Sequence, residues 1–313
     1  MMRKNKFIYG LKYLSHKINS YNKNVVINLV YHRILKKTPK YDYFGTVVSE
    51  ETFYNQIKYL SKYYRCFLSN QESKNKINFL LTFDDGFLDN YKIAYPILKE
   101  FNLKAIFFIP TRFIDSKDLI WDYNLFLNLL KYNKELNFKI DGKINTFSKK
   151  ENDYSSYLKR FIIYLKNQKF QRFKEILDYL KNNYEFEYNF DEFDRCLNTS
   201  EIQIMSKDGM LFGSHSENHF NLSKMTNDMI VHELIKSKEK IEKITKKVCN
   251  YIAIPFGSKS DYNVKLLKLV QYNNYDKCFL NIHGLGNNSN FVQNRIIMHE
   301  NTNLNTIMNS IAP

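Results

Sequence analysis

The sequence predicts an α/β fold built as a closed barrel of about seven parallel strands. Three observations lead there. Short runs rich in β-branched and aromatic residues recur along the chain, helix-period patterns lie between most of them, and residues capable of chemistry follow the runs at their C-terminal ends. The runs are residues 25–31 (VVINLVY), 77–83 (INFLLTF), 104–109 (KAIFFI), 210–213 (MLFG), 251–254 (YIAI), 276–282 (DKCFLNI) and 295–298 (RIIM). Their nearly unbroken apolar composition marks strands covered on both faces.

Between the first two runs, Phe53, Ile57, Leu60 and Tyr64 share one helical face. Between the fourth and fifth, Ile230, Leu234, Ser237, Ile241 and Ile244 do the same, with Lys and Glu opposite. The rhythm breaks between the third and fourth runs. Residues 116–198 hold no convincing core strand, only Lys- and aromatic-rich helix-like runs at 157–165 and 170–180. No Pro/Gly/Ser linker brackets this stretch, so it reads as a helical insertion in one barrel domain over 25–313, preceded by a segment at 1–24.

Composition narrows the function classes. With 44% apolar residues in 313, a disordered chain is excluded. Cys66, Cys196, Cys249 and Cys278 lie far apart with no C-x-x-C pair, which excludes a disulfide framework and a zinc knuckle. No run approaches the roughly 18 apolar residues needed to span a bilayer. Lys12, His16 and Lys17 interrupt any signal-peptide core behind Arg3, Lys4 and Lys6, so the chain reads as soluble and cytoplasmic. The net charge is +15, yet only eight of the 47 basic residues are Arg, the side chain that phosphate readers favour. No nucleic-acid motif is present, and nucleic acid is not an expected partner. Phe7, Leu11, Leu14 and Ile18 line one face of a basic amphipathic helix, which either lies on an anionic membrane or docks on the barrel.

The strand ends carry the chemistry. His32 follows the first run, Asp84-Asp85-Gly86 the second, His215 and His219 the fourth, Pro255-Phe256-Gly257 the fifth and His299 the seventh. In a parallel barrel these ends open on one face. Imidazoles at i and i+4 share the face of a helical turn, close enough to hold one metal ion. A carboxylate would complete a three-ligand site with a position open to water. Adjacent aspartates then divide into one ligand and one general base.

Leu81-Thr82-Phe83-Asp84-Asp85-Gly86 resembles the TFDDG motif of the polysaccharide deacetylases, carbohydrate esterases with chitooligosaccharide-deacetylase homology. The segment Gly213-Ser214-His215-Ser216-Glu217-Asn218-His219 with downstream Leu222 resembles the family's H-[ST]-x-x-H motif, and residues 251–257 (YIAIPFG) its third motif. Val30-Tyr31-His32-Arg33 is similar to the Tyr-His strand end of many members. The resemblance covers about residues 25–115 and 199–299. It implies a distorted (β/α) barrel and a metal-dependent deacetylase of acetylated sugars. Asp84 would be the general base. Asp85, His215 and His219 would hold one divalent metal, zinc by preference, with Ser216 supporting them. The N–H near Phe256 would stabilise the oxyanion. With no export signal, the expected substrate is an N-acetylated lipid- or nucleotide-linked precursor, or an oligosaccharide, of a bacterial surface glycan. A non-sugar amide and an inactive glycan-binding barrel are the alternatives.

Three departures set further expectations. Ala253 stands where many members carry an Arg paired with the catalytic Asp, so the charge of Asp84 is expected to depend more on the metal and less on an ion pair, unless another group replaces that Arg. The D-x-x-D-W segment is missing. The only Trp, Trp121, precedes Asp122 inside the insertion, as a sugar platform or a core aromatic. Ile297-Met298-His299 fits the family's Leu-x-His loosely and makes His299 the expected general acid, with His283 a second candidate. His32 on the same rim would bind substrate, orient Asp84 or serve structurally.

Overall fold

The computed structural model of the chain describes residues 25–42, 44–68, 78–131, 136–140, 143–147, 154–183, 191–287, 290–304 and 307. The amphipathic helix expected within residues 1–24 lies outside them. Among the described residues no helix is long and apolar enough to cross a membrane.

Strand β1 (Val25–Tyr31) pairs in parallel with β2 (Asn78–Phe83), and β2 with β3 (Ala105–Ile109). The parallel ladder continues through β4 (Leu211–Ser214), β5 (Tyr251–Ala253), β6 (Lys277–Leu280) and β7 (Val292–Asn294). Strand β8 (Ile296–Ile297) returns to β1, with Leu29 opposite Ile296. Strands β7 and β8 are one extended segment interrupted at Arg295, and this broken strand is the seam of a distorted (β/α) barrel. All seven predicted runs form strands; the last begins earlier, at Val292, and is split.

Successive side chains of a strand point to opposite faces. Ile27, Leu29, Leu81, Phe83, Ala105 and Phe107 therefore join the layer beneath the helices. Their neighbours Val26, Leu80, Ile106 and Phe108, with Ala253 and Phe279, fill the bore. Helix α1 (Glu50–Tyr63) starts where the Ser49 hydroxyl accepts the Thr52 N–H, and it buries Phe53, Ile57 and Leu60 as its periodicity predicts.

The insertion has its own core. Its helices α2 (Trp121–Lys131), α3 (Tyr154–Lys166) and α4 (Phe170–Asn183) pack Phe126, Leu129, Ile162, Leu165, Phe173 and Leu180 together. It is not wholly helical. Leu136–Ile140 and Lys143–Phe147 form an antiparallel hairpin that pairs with itself, and among the described residues of this stretch no strand joins the barrel sheet. Arg33 fastens the insertion to the barrel: its buried guanidinium meets Asp89 (2.9 Å), Asp194 (2.8 Å), the Phe193 carbonyl (2.7 Å) and the Tyr123 hydroxyl. On the other side of the rim, Lys166 of α3 pairs with the fully buried Asp261 at 2.7 Å. Helix α5 (Asn227–Thr245) returns to the barrel and buries its predicted face, with Glu233 among those residues.

One glycine of the bore bears on the site above it. A Cβ on Gly213 would lie 2.5 Å from the Phe108 ring and 2.9 Å from the Tyr251 carbonyl, so Phe108 fills the barrel only because residue 213 has no side chain. Gly213→Ala should destabilise the fold by about 1–3 kcal/mol through overpacking, read as a lower urea midpoint with an unchanged slope. A midpoint equal to that of the parent chain would contradict this packing.

Candidate active site

The aspartate pair sits where the β1–β2 ladder runs out. The Asp84 N–H still donates to Tyr31 (2.9 Å), after which Asp85 (φ +70°) and Gly86 (φ +61°) take left-handed conformations. Gly86 also has no room for a side chain, since a Cβ would meet Ile109 at 2.9 Å. This turn sends the two neighbouring carboxylates to different partners.

His215 and His219 are not on a helical turn, contrary to expectation. They lie in a loop in which Ser216 (φ +63°) and His219 (φ +58°) are left-handed, conformations that cost non-glycine residues energy. Hydrogen bonds hold the loop in shape. The Ser216 hydroxyl accepts the His219 N–H (3.0 Å), and Ser214 accepts that of Ser216 (3.1 Å). Glu233 of α5 accepts the N–H groups of Glu217 and Asn218 (each 2.9 Å) and the Asn218 amide (2.7 Å). Burial pushes the Glu233 carboxyl above its usual range despite those donors.

The imidazoles are locked as tautomers. Carbonyl and carboxylate oxygens only accept, so the Nδ1 of His215 donates to Ala253 (2.8 Å) and the Nδ1 of His219 to Asp122 (3.2 Å). Each Nε2 then faces Asp85 Oδ1, at 3.5 Å for His215 and 3.3 Å for His219. Two donors about 2.0–2.1 Å from a tetrahedral cation lie roughly 3.3 Å apart, so the spacing suits one. Asp85 Oδ1 is buried and has no hydrogen-bond partner, an unsatisfied acceptor that a cation would satisfy. These three side chains could hold a divalent ion. Burial would raise Asp85, but His219, His32 and His215 hold it below the carboxylate range. Burial lowers His215 to about 4, whereas in His219 Asp122 and Asp85 outweigh burial and raise the pKa.

Asp84 is fully buried and grips Arg295 with both oxygens, at 2.7 and 2.6 Å. Burial would raise its pKa; Arg295, with His215 and His32, brings it below the usual value. The guanidinium lies over Phe108 (5.5 Å) and Phe279 (5.9 Å) in the bore. Arg295 is thus the group that stands in for an arginine at 253, reaching Asp84 from the seam instead of from β5. The sequence marked it only as a strand residue, and Ala253 led to the expectation that an ion pair would matter less for Asp84; the bidentate Arg295 pair corrects this.

The remaining expected residues are placed as follows. His32 is the imidazole beside Asp84, with Nε2 3.9 Å from Oδ2 and its buried Nδ1 unpartnered. His299 is exposed, and its Nδ1 donates to the Gly45 carbonyl (2.6 Å), so the structure sets His32 and not His299 against the aspartate. His283 is exposed as well. Phe256 (φ +63°) packs its ring on His219 (4.9 Å), and its N–H makes no hydrogen bond among the described residues. Trp121 is half-buried against Phe173 and donates its indole N–H to the His219 carbonyl (2.8 Å), which makes it a brace for the loop. Asp122 and Glu233 were not singled out from the sequence, because nothing local marks the side chains they reach. A cleft of about 430 Å³ between barrel rim and insertion, lined by Lys36, Tyr41, Tyr123 and Phe126 among others, opens on Asp85.

Comparison with known proteins bears on the family and the fold. The family model described as polysaccharide deacetylase matches residues 71–275. The poly-β-1,6-N-acetyl-D-glucosamine N-deacetylase of Staphylococcus epidermidis is 27% identical over 220 residues, covering 62% of this chain and 73% of that one. The Bacillus subtilis polysaccharide deacetylase YxkH is 50% identical over 38 residues, 12% of this chain, and the match spans only 14% of its length. Among solved structures, the Streptococcus pyogenes deacetylase PplD in complex with acetate aligns with a TM-score of 0.60 at 20% identity, over 92% of this chain and 99% of that one. At that identity the likeness bears on the fold alone.

The Arg295 pairing predicts a shift in pH dependence. Removing the guanidinium leaves burial as the main influence on Asp84, so its pKa rises and the carboxylate is lost at higher pH. In Arg295→Gln the acid limb of the kcat/KM profile should therefore move upward by about 1–3 pH units. An acid limb left in place would show that Arg295 does not set the charge of Asp84.

Proposed function

The chain belongs to the polysaccharide deacetylase family, and from that premise we propose that it hydrolyses the acetamido group of an N-acetylated hexosamine in a glycan, releasing acetate and a free amine. The observation that carries this reading is the convergence of Asp85, His215 and His219 beside an ion-paired Asp84 at the floor of a cleft. Similarity to the Staphylococcus enzyme favours a β-1,6-linked N-acetylglucosamine chain over a nucleotide- or lipid-linked precursor. The complete set of base and ligand side chains argues against an inactive barrel.

A divalent cation on Asp85, His215 and His219 would polarise the acetyl carbonyl and lower the pKa of the attacking water towards about 7; two imidazoles and a carboxylate suit zinc. Asp84, kept ionised by Arg295, takes the proton of that water as its oxygen attacks the carbonyl carbon. The free N–H of Phe256 donates to the oxygen that becomes negative. As the C–N bond breaks, His32 gives a proton to the departing nitrogen, and acetate and the amine leave balanced. His32 suits that role better than His299, whose Nδ1 is spent on Gly45.

Acetate release from β-1,6-linked N-acetylglucosamine oligosaccharides tests the scheme. Asp84→Asn and His32→Ala should each fall by about 10²–10⁴-fold in protein that still folds, Asp84→Asn with a lowered melting temperature because the buried Arg295 loses its counter-charge, whereas His299→Ala should stay within a few-fold of the parent. Chelation should abolish turnover, and added zinc should restore it. Wild-type rates in folded Asp84→Asn, or full activity after chelation, would refute the assignment.

A further inference from the structure

The insertion reaches the candidate cation site through two consecutive residues, and neither contact is explained by covering a cleft. Asp122, 2% exposed, accepts the Nδ1–H of His219 at 3.2 Å. Its neighbour Trp121 donates its indole N–H to the carbonyl of the same histidine at 2.8 Å. We infer that Asp122 is a positioning residue for the ligand His219, so that the insertion is a working part of the cation centre. The inference rests on the reading of Asp85, His215 and His219 as that centre.

The chemistry follows from which atoms can donate. With its Nδ1 proton given to a carboxylate, His219 has one tautomer and one ring orientation, and Nε2 faces Asp85 Oδ1 at 3.3 Å. His215 obtains the same result from the Ala253 carbonyl, an atom of the rigid barrel strand β5. The loop residue His219 has no strand carbonyl as its Nδ1 partner, and the insertion provides a carboxylate instead. A charged acceptor also makes the imidazole a stronger donor to a metal than a neutral carbonyl does. The Trp121 bond holds the strained left-handed backbone of His219 (φ +58°) from the carbonyl side, and Ser216 holds it from the N–H side.

Asp122 is placed to do this because the start of α2 is fixed to the barrel on both flanks. Ile120 is buried with Phe87, Phe113 and Cys196. Tyr123 packs edge-on against Phe87 (5.1 Å) and donates to Asp194 (2.8 Å) within the Arg33 cluster. A carboxylate flanked by two such fixed residues cannot swing away from the ring it orients.

The test measures metal affinity of the full chain, independently of turnover. Zn²⁺ dissociation constants come from competition with a chromophoric chelator, and the Co²⁺-loaded protein gives a visible ligand-field spectrum. Asp122→Ala should bind Zn²⁺ about 10–100-fold more weakly and show an altered Co²⁺ spectrum. Asp122→Asn, which keeps an acceptor oxygen but loses the charge, should lose less. If Asp122→Ala fails to fold, the same comparison is made between Asp122→Asn and the parent. A folded variant with the parent's affinity and spectrum overturns the inference. A parent chain that binds neither Zn²⁺ nor Co²⁺ instead overturns the cation site on which it rests.

Discussion

Asp84 and Arg295 are both inaccessible to solvent, and each would be untenable in the barrel without the other. A buried charge without a partner is strongly destabilising, and breaking such a pair by deleting one member typically costs about 3–5 kcal/mol. Here both carboxylate oxygens are bonded to the guanidinium, Arg295 also reaches the Thr82 hydroxyl at 3.3 Å, and two aromatic rings lie under it. The pair joins the strand that closes the barrel to the strand end that carries the chemistry. Closure of the fold and ionisation of the proposed base are one interaction.

Around that pair the backbone is held in conformations that few side chains adopt freely. Asp85, Ser216, His219 and Phe256 all have positive φ, and all belong to the rim. Such residues persist only where their surroundings over-determine them. Glu233 answers two N–H groups of the histidine loop, Ser214 and Ser216 answer two more, and Asn281 donates to the Phe256 carbonyl at 3.1 Å. Strain at the rim is therefore sustained by donors and acceptors buried one layer further in, including a carboxylate of a packing helix.

The insertion changes the meaning of the barrel's upper face. It forms a core of its own, yet it touches the rim at Arg33, at Asp261 and at His219. Lys166 illustrates the coupling: it ion-pairs with Asp261 and lies 4.4 Å from the centre of the Phe256 ring, which itself packs on His219. A segment with a separate hydrophobic core thus contributes polar groups to two loops of the site.

The strands, the outer helices and the residues that could bind a cation were legible because each depends on local pattern. Short, nearly unbroken apolar runs marked the strands, period 3.6 marked the buried faces of α1 and α5, and the strand ends named Asp84, Asp85, His215, His219 and His32 in advance. The loop geometry of the histidines was not legible, since spacing of four also suits a helix and the deciding hydrogen bonds come from Glu233, well downstream. His299 was preferred to His32 on motif order, and only coordinates show which imidazole lies beside Asp84. The sequence by itself determined the barrel and the set of groups at its rim, because apolar runs, helical periodicity and the residues at strand ends are written locally along the chain. Tertiary structure alone decided which distant side chains complete them. Arg295, Asp122 and Glu233 act through charges and hydrogen bonds that span the fold, and such partners leave no trace in the residues adjacent to them.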